Sequence, residues 1–125
     1  LNKVWDVSFI PEAKKDLRKL DKSIRMVIYL GIEKVSSNPL PQSEGGYGKP
    51  LGNKQGNNLT GFFKIKYRNI GIRVVYTLVR DKKIMNIVVV SVRDDDYCYS
   101  LAEKRKRKYG SKLFEKGFEN DMRAD

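Results

Sequence analysis

The 125-residue chain contains no histidine. That absence removes histidine-ligated zinc, Ser/His and Cys/His nucleophile pairs, and RNA cleavage by a histidine acid and base. Any catalysis must draw on Lys, Arg, Tyr or carboxylates. Cysteine is nearly absent as well: Cys98 stands alone, which excludes an intramolecular disulfide and fits a reducing cytoplasm. Its expected role is that of a small buried apolar residue rather than a nucleophile. No apolar run approaches the roughly 20 residues that span a bilayer, and Leu1 to Ile10 is too short and too polar for a signal peptide. A soluble cytoplasmic protein with no membrane partner is expected. The length suits one domain with a modest core.

Positive charge is abundant. Lys and Arg number 26 against 15 Asp and Glu, a formal +11 with a pI near 9.8. From Glu103 onward there are eight Lys/Arg and five Asp/Glu, so the rest still holds 18 cations against 10 anions, a net +8. The body of the fold is therefore basic, which suits a polyanion such as nucleic acid.

Along the chain, "VWDVSFI" (Val4 to Ile10) alternates as a strand whose Trp5, Val7 and Phe9 share one face. Pro11 suits a first helical turn, and Ala13, Leu17 and Leu20 line one side of the helix that follows. Asp21 is a plausible cap, within the turn or for the next helix. A second helix is predicted from Lys22 to about Ser37, with Ile24, Val27, Ile28, Ile32 and Val35 inward, ending at "SSNP". Leu40 to Asn58 is rich in Pro, Gly, Asn and Gln and reads as a long surface loop. Three strands follow, Leu59–Tyr67, Ile70–Arg80 and Lys83–Val92, as an antiparallel meander. Tyr97 to Lys108 reads as a third helix ending near Gly110, with a frayed or separate short helix from Ser111 to Phe118. The expected class is α+β: an N-terminal strand, a helical hairpin, a three-stranded antiparallel meander and a C-terminal helix. Residues 1–110 form the domain and 111–125 a C-terminal extension. Val7, Phe9, Leu17, Ile28, Ile65, Val74 and Val89 are the predicted core.

The hairpin "FFKIKYRNIGIRVVYTL" (Phe62 to Leu78) carries cations where a strand alternates. Phe63, Ile65 and Tyr67 share one side, leaving Lys64, Lys66 and Arg68 on the other. In its partner, Ile72, Val74, Tyr76 and Leu78 share a face and Arg73 points oppositely. Lys64, Lys66 and Arg73 are thus expected to converge on an exposed face. Such a row is either a solvated strand that discourages edge pairing or a cradle for phosphate. Asp94, Asp95 and Asp96 could hold Mg²⁺, but three consecutive residues on a turn cannot all face one ion. Their place before a helix reads as a cap. "KRKRK" (Lys104 to Lys108) is either a solvated helix face or a contact to RNA phosphates.

The hairpin resembles the "YKIKLRxxGYRLVYxV" core of the RelE toxins in the RelE/ParE superfamily, the toxin halves of bacterial toxin–antitoxin pairs. "FIPEAKKDLRKLDKSIR" is similar to their "FxPxAxKELKKLDKxIR" opening, and "KPLGNKQGNNLTGFFKIK" to their approach to the central strands. The match runs from about Val4 to Arg107. The resemblance implies a ribosome-dependent endoribonuclease that cuts messenger RNA by 2′-OH attack, without metal or small-molecule cofactor, and that is neutralised by a cognate antitoxin. It places the family's strand lysines on Lys64 and Lys66, its following arginine on Arg73 and its late tyrosine on Tyr99. A second family arginine falls nearest to Arg93, in a segment shorter by two residues and rich in aspartate. Lys66 is the expected base, sharing the role with Lys64; Arg73 and Arg93 would grip the phosphate, and Tyr99 would either stack on a base, aid proton transfer or simply pack. Lys49, Lys54, Arg68, Lys104, Arg105 and Arg107 are expected to hold further RNA. A ParE-like DNA gyrase inhibitor and a non-catalytic RNA-binding module are the alternatives.

Overall fold

The computed structural model describes residues 5–54 and 56–119. Its elements are β1 (Asp6–Phe9), α1 (Pro11–Arg18), α2 (Lys22–Ser36), β2 (Lys49–Lys54), β3 (Asn57–Tyr67), β4 (Ile72–Val79), β5 (Ile84–Val92) and α3 (Asp95–Tyr109), with 3-10 turns at Gln42–Glu44 and Gly110–Phe114. They form an α+β fold around one five-stranded sheet of order β1-β5-β4-β3-β2, in which β1 runs parallel to β5 and the other pairs are antiparallel. Of the strand expected from Val4, Val4 lies outside the described residues, and Trp5 is buried just ahead of β1. Five of the seven expected core residues are fully enclosed, and Val7 and Ile65 pack on the core partly buried.

The long loop expected between α2 and the meander is in part a strand. β2 pairs with β3 along Lys49↔Lys64, Pro50↔Phe63 and Gly52↔Leu59, with a register shift between Pro50 and Gly52. Pro and Gly are poor strand formers, but an edge strand tolerates a missing N–H and a bulge. Pairing buries Leu51 against the core and lengthens β3 back to Asn57.

β4 is buried along its whole length, because both faces of the sheet are covered. On one face, Tyr67 of β3 reaches α2 and donates its hydroxyl to the Ile28 carbonyl at 2.8 Å. Gly31 makes this approach possible: a Cβ there would sit 2.5 Å from the Tyr67 ring. Inward on α2 are Ile28, Tyr29, Ile32 and Val35, whereas Val27, expected among them, is 44% exposed. It lies one residue, about 100°, off the 28-32-35 stripe. Asp21 occupies the N-cap position of α2 without a capping side-chain bond.

Past Phe9, α1 continues along the edge of β5 where β1 stops. Asp16 accepts from the Val90 amide at 3.0 Å and forms a two-pronged pair with Arg105 of α3, which also donates to the Val88 carbonyl at 2.9 Å. Edge groups of β5 are thereby satisfied by side chains. The C-terminal segment docks as far as it is described: Thr77 and Asn86 bond the Leu113 carbonyl, Asn86 also bonds the Lys116 carbonyl, and Phe9 and Glu119 exchange backbone bonds across β1. Of the short helix expected from Ser111 to Phe118, the chain forms a separate 3-10 helix at Gly110–Phe114, and beyond it Glu119 bridges to Phe9 of β1.

Candidate functional site

Residues directly opposed across neighbouring strands project from the same face. The register places Lys49 of β2 opposite Lys64 of β3, and Lys66 of β3 opposite Arg73 of β4, which in turn faces Ser91 of β5. Lys49, Lys64, Lys66 and Arg73 therefore form a band of cations on one side of the sheet. Helix α3 crosses the inner end of that band. Arg73, expected on an exposed face, is instead 3% exposed. Its Nη1 donates to the Tyr99 hydroxyl at 2.8 Å and ion-pairs with Asp95, and its Cζ lies 5.7 Å from the centre of the Tyr99 ring. Its Nε is buried and has no hydrogen-bond partner among the described residues.

Lys64 and Lys66 are half-buried neighbours. Partial burial and then repulsion from Lys66, Arg73 and Lys54 push the Lys64 ammonium down to about 8. Lys66 is also lowered, by desolvation first and then by Arg73, Arg68 and Lys49. Burial and the neighbouring cations thus favour the neutral form of Lys64. Neighbouring cations on one partly buried face cannot all stay charged at low cost.

Tyr99 is 1% exposed, so its ring has no face free for stacking on a base; it packs on the sheet and steadies Arg73. Arg93 lies in the bend between β5 and α3 with its amide on the Gly71 carbonyl and its side chain exposed. Arg68 is exposed just after β3, close enough to repel Lys66, and Lys54 repels Lys64. Lys104 and Arg107 face solvent, Arg107 with a loose pair to Glu103. Arg105 turns inward to Asp16 and is not available on the surface. Asp94 caps α3, accepting from the Tyr97 amide at 3.1 Å. Cys98 is buried, and burial raises its thiol pKa, with a smaller opposing effect from Ser91.

Asp95 was not separated from its neighbours by sequence reading. The signal was there: Asp95 and Tyr99 are one helical turn apart on the same face of α3, and both reach Arg73.

A five-stranded sheet carrying a band of cations beneath a C-terminal helix defines a basic, histidine-free site suited to phosphate. Comparison with known proteins supplies the family. No family model matches the chain. A protein of Escherichia coli described as a RelE-like toxin is 32% identical over 104 residues, covering 82% of this chain and 98% of that one. The chain belongs to the RelE-like toxins. Its fold is similar to that of a doubly substituted E. coli toxin RelE in the free state (TM-score 0.65, 24% identity, 82% of this chain and 98% of that one). It is also similar to the isolated E. coli RelE toxin (0.58, 25%, 81% and 97%). A third likeness is to a RelBE toxin–antitoxin complex of Mycobacterium tuberculosis (0.57, 26%, 73% and 100%).

Proposed function

We propose that this toxin is a ribosome-dependent messenger RNA endoribonuclease, held inactive by a cognate antitoxin. The observation that carries the reading is the band of Lys49, Lys64, Lys66 and Arg73 on one face of the sheet, in which burial and the neighbouring cations bias Lys64 toward neutrality. RNA cleavage from within the strand needs a base for the ribose 2′-OH, charge stabilisation at phosphorus and a proton for the leaving oxygen. Neutral Lys64 Nζ takes the 2′-OH proton as the 2′ oxygen bonds to phosphorus. The Lys66 ammonium and the Arg73 guanidinium face the charge that builds on the phosphoryl oxygens. As the P–O5′ bond breaks, a Lys66 Nζ proton passes to O5′. The products are a 2′,3′-cyclic phosphate on the upstream fragment and a 5′-hydroxyl on the downstream one, and the step uses no metal. Lys49, Lys54 and Arg68 extend the cationic track along the sheet; Lys104 and Arg107 offer a second contact, to ribosomal RNA phosphates.

This reading moves the base from Lys66, as the sequence suggested, to Lys64. An antitoxin partner is inferred from family membership and from the M. tuberculosis complex. The test is cleavage of message on stalled ribosomes by wild type, Lys64→Ala and Lys66→Ala, with gyrase supercoiling assayed in parallel. Cleavage by wild type and loss of about 10²–10⁴-fold in each variant is expected. Gyrase inhibition with intact message would instead identify the ParE-like alternative, and RNA binding without cleavage the non-catalytic one.

A further inference from the structure

Building on the nuclease reading, we propose that Asp95 is an internal counter-anion that occupies Arg73, and that an RNA phosphate reaches Arg73 only by displacing it. Arg73 is the innermost cation of the band, and its Nη1 is shared between Asp95 and Tyr99 while its buried Nε has no partner among the described residues. A carboxylate and a phosphodiester both accept from guanidinium N–H groups in the same forked geometry, so they compete for one seat. The asymmetry of burial decides which partner moves. The Arg73 side chain is 4% exposed, whereas Asp95 is 47% exposed and can rotate into water without opening the core. The helix survives that rotation, because its cap is Asp94, whose carboxylate holds the Tyr97 amide. Tyr99 keeps Arg73 aimed while Asp95 leaves. Asp95 thus raises the threshold for free RNA.

The direct test uses a 2′-O-methylated RNA oligonucleotide, which lacks the nucleophile and is not cut, with binding to the purified toxin followed by fluorescence anisotropy. Asp95→Asn removes the competing charge. Asp96→Asn makes the same change in net charge one residue away, on an exposed side chain. If Arg73 is free in about one molecule in ten, Asp95→Asn tightens binding about tenfold, in inverse proportion to that fraction, and Asp96→Asn changes it by much less. Adding Arg73→Ala to Asp95→Asn should abolish the gain. Asp95→Ser gives the same readout should Asn perturb the helix, and circular dichroism confirms folding. Equal affinities for the Asp95 and Asp96 variants, or weaker binding by Asp95→Asn, would overturn the proposal. Tightening in a toxin whose wild type leaves ribosome-bound message intact would sink the nuclease reading and leave the counter-anion standing; cleavage without tightening would do the reverse.

Discussion

If Lys64 is the base, the cleavage rate must follow its neutral fraction. With a pKa of about 8, about one-tenth of Lys64 is neutral at pH 7 and half at pH 8, so the rate should rise about fivefold between them and level off above. An ordinary lysine would be about 300-fold less neutral at pH 7. Two substitutions change the cause without touching the base. Lys66→Met removes the strongest repelling charge and Lys54→Met a weaker one. Losing a neighbouring cation favours the ammonium form, so the pKa rises, the inflection moves to higher pH and the rate at pH 7 falls. The shift should be larger for Lys66→Met than for Lys54→Met. Lys54 contacts RNA but moves no proton, so with ribosomes saturating its variant should regain the wild-type rate at high pH, whereas Lys66→Met should not. Single-turnover cleavage on stalled ribosomes from pH 6.5 to 9 resolves this. A flat profile, or an inflection that stays in place in Lys66→Met, would refute Lys64 as the base.

Stability offers three further checks. Gly31→Ala places a Cβ against the Tyr67 ring at 2.5 Å, and should cost about 1–3 kcal/mol by overpacking, read by chemical denaturation. Leu17→Ala, at 1% exposure in the core, should cost on the order of 2–5 kcal/mol; a midpoint equal to wild type would mean that α1 does not pack as described. Glu12 joins α1 to the end of α3: burial opposes its ionisation, but hydrogen bonds from Lys108 and Tyr109 prevail and lower its carboxyl to about 2. Its contribution is complete above its ordinary value of 4.5 and is lost as pH falls toward 2. Glu12→Gln should therefore destabilise by about 1 kcal/mol at pH 7, a value reduced by solvent screening, and by almost nothing at pH 2.

Apolar periodicity reveals the helical hairpin and the three central strands, since each buries a face whose spacing survives in the sequence, and the acidic-to-basic charge order marks α3. β2 escapes because Pro50 and Gly52 oppose strand propensity, and only its place at the sheet edge tolerates them. The cations of β3 were legible from alternation, but the burial of Arg73 was not, because alternation within a hairpin says nothing about a helix contributed 22 residues later. A hint lay in β4 itself, where Val75 and Val79 put apolar groups on the same side as Arg73, which a solvated face would not need. Arg105 likewise looked like part of a solvated charge run. Its partner Asp16 is 89 residues away, and no local pattern links the two.

The central claim concerns what attacks phosphorus, and the upstream fragment of cleaved message records it. Mass spectrometry of that fragment's 3′ end, after cleavage on the ribosome by the purified toxin, reads the outcome directly. Attack by the ribose 2′-OH leaves a 2′,3′-cyclic phosphate, or the 3′-phosphate formed when it opens, and a 5′-hydroxyl on the downstream piece. A 3′-hydroxyl with a 5′-phosphate would mean that water attacked instead, and would contradict both the Lys64–Lys66 mechanism and the metal-free reaction built on it.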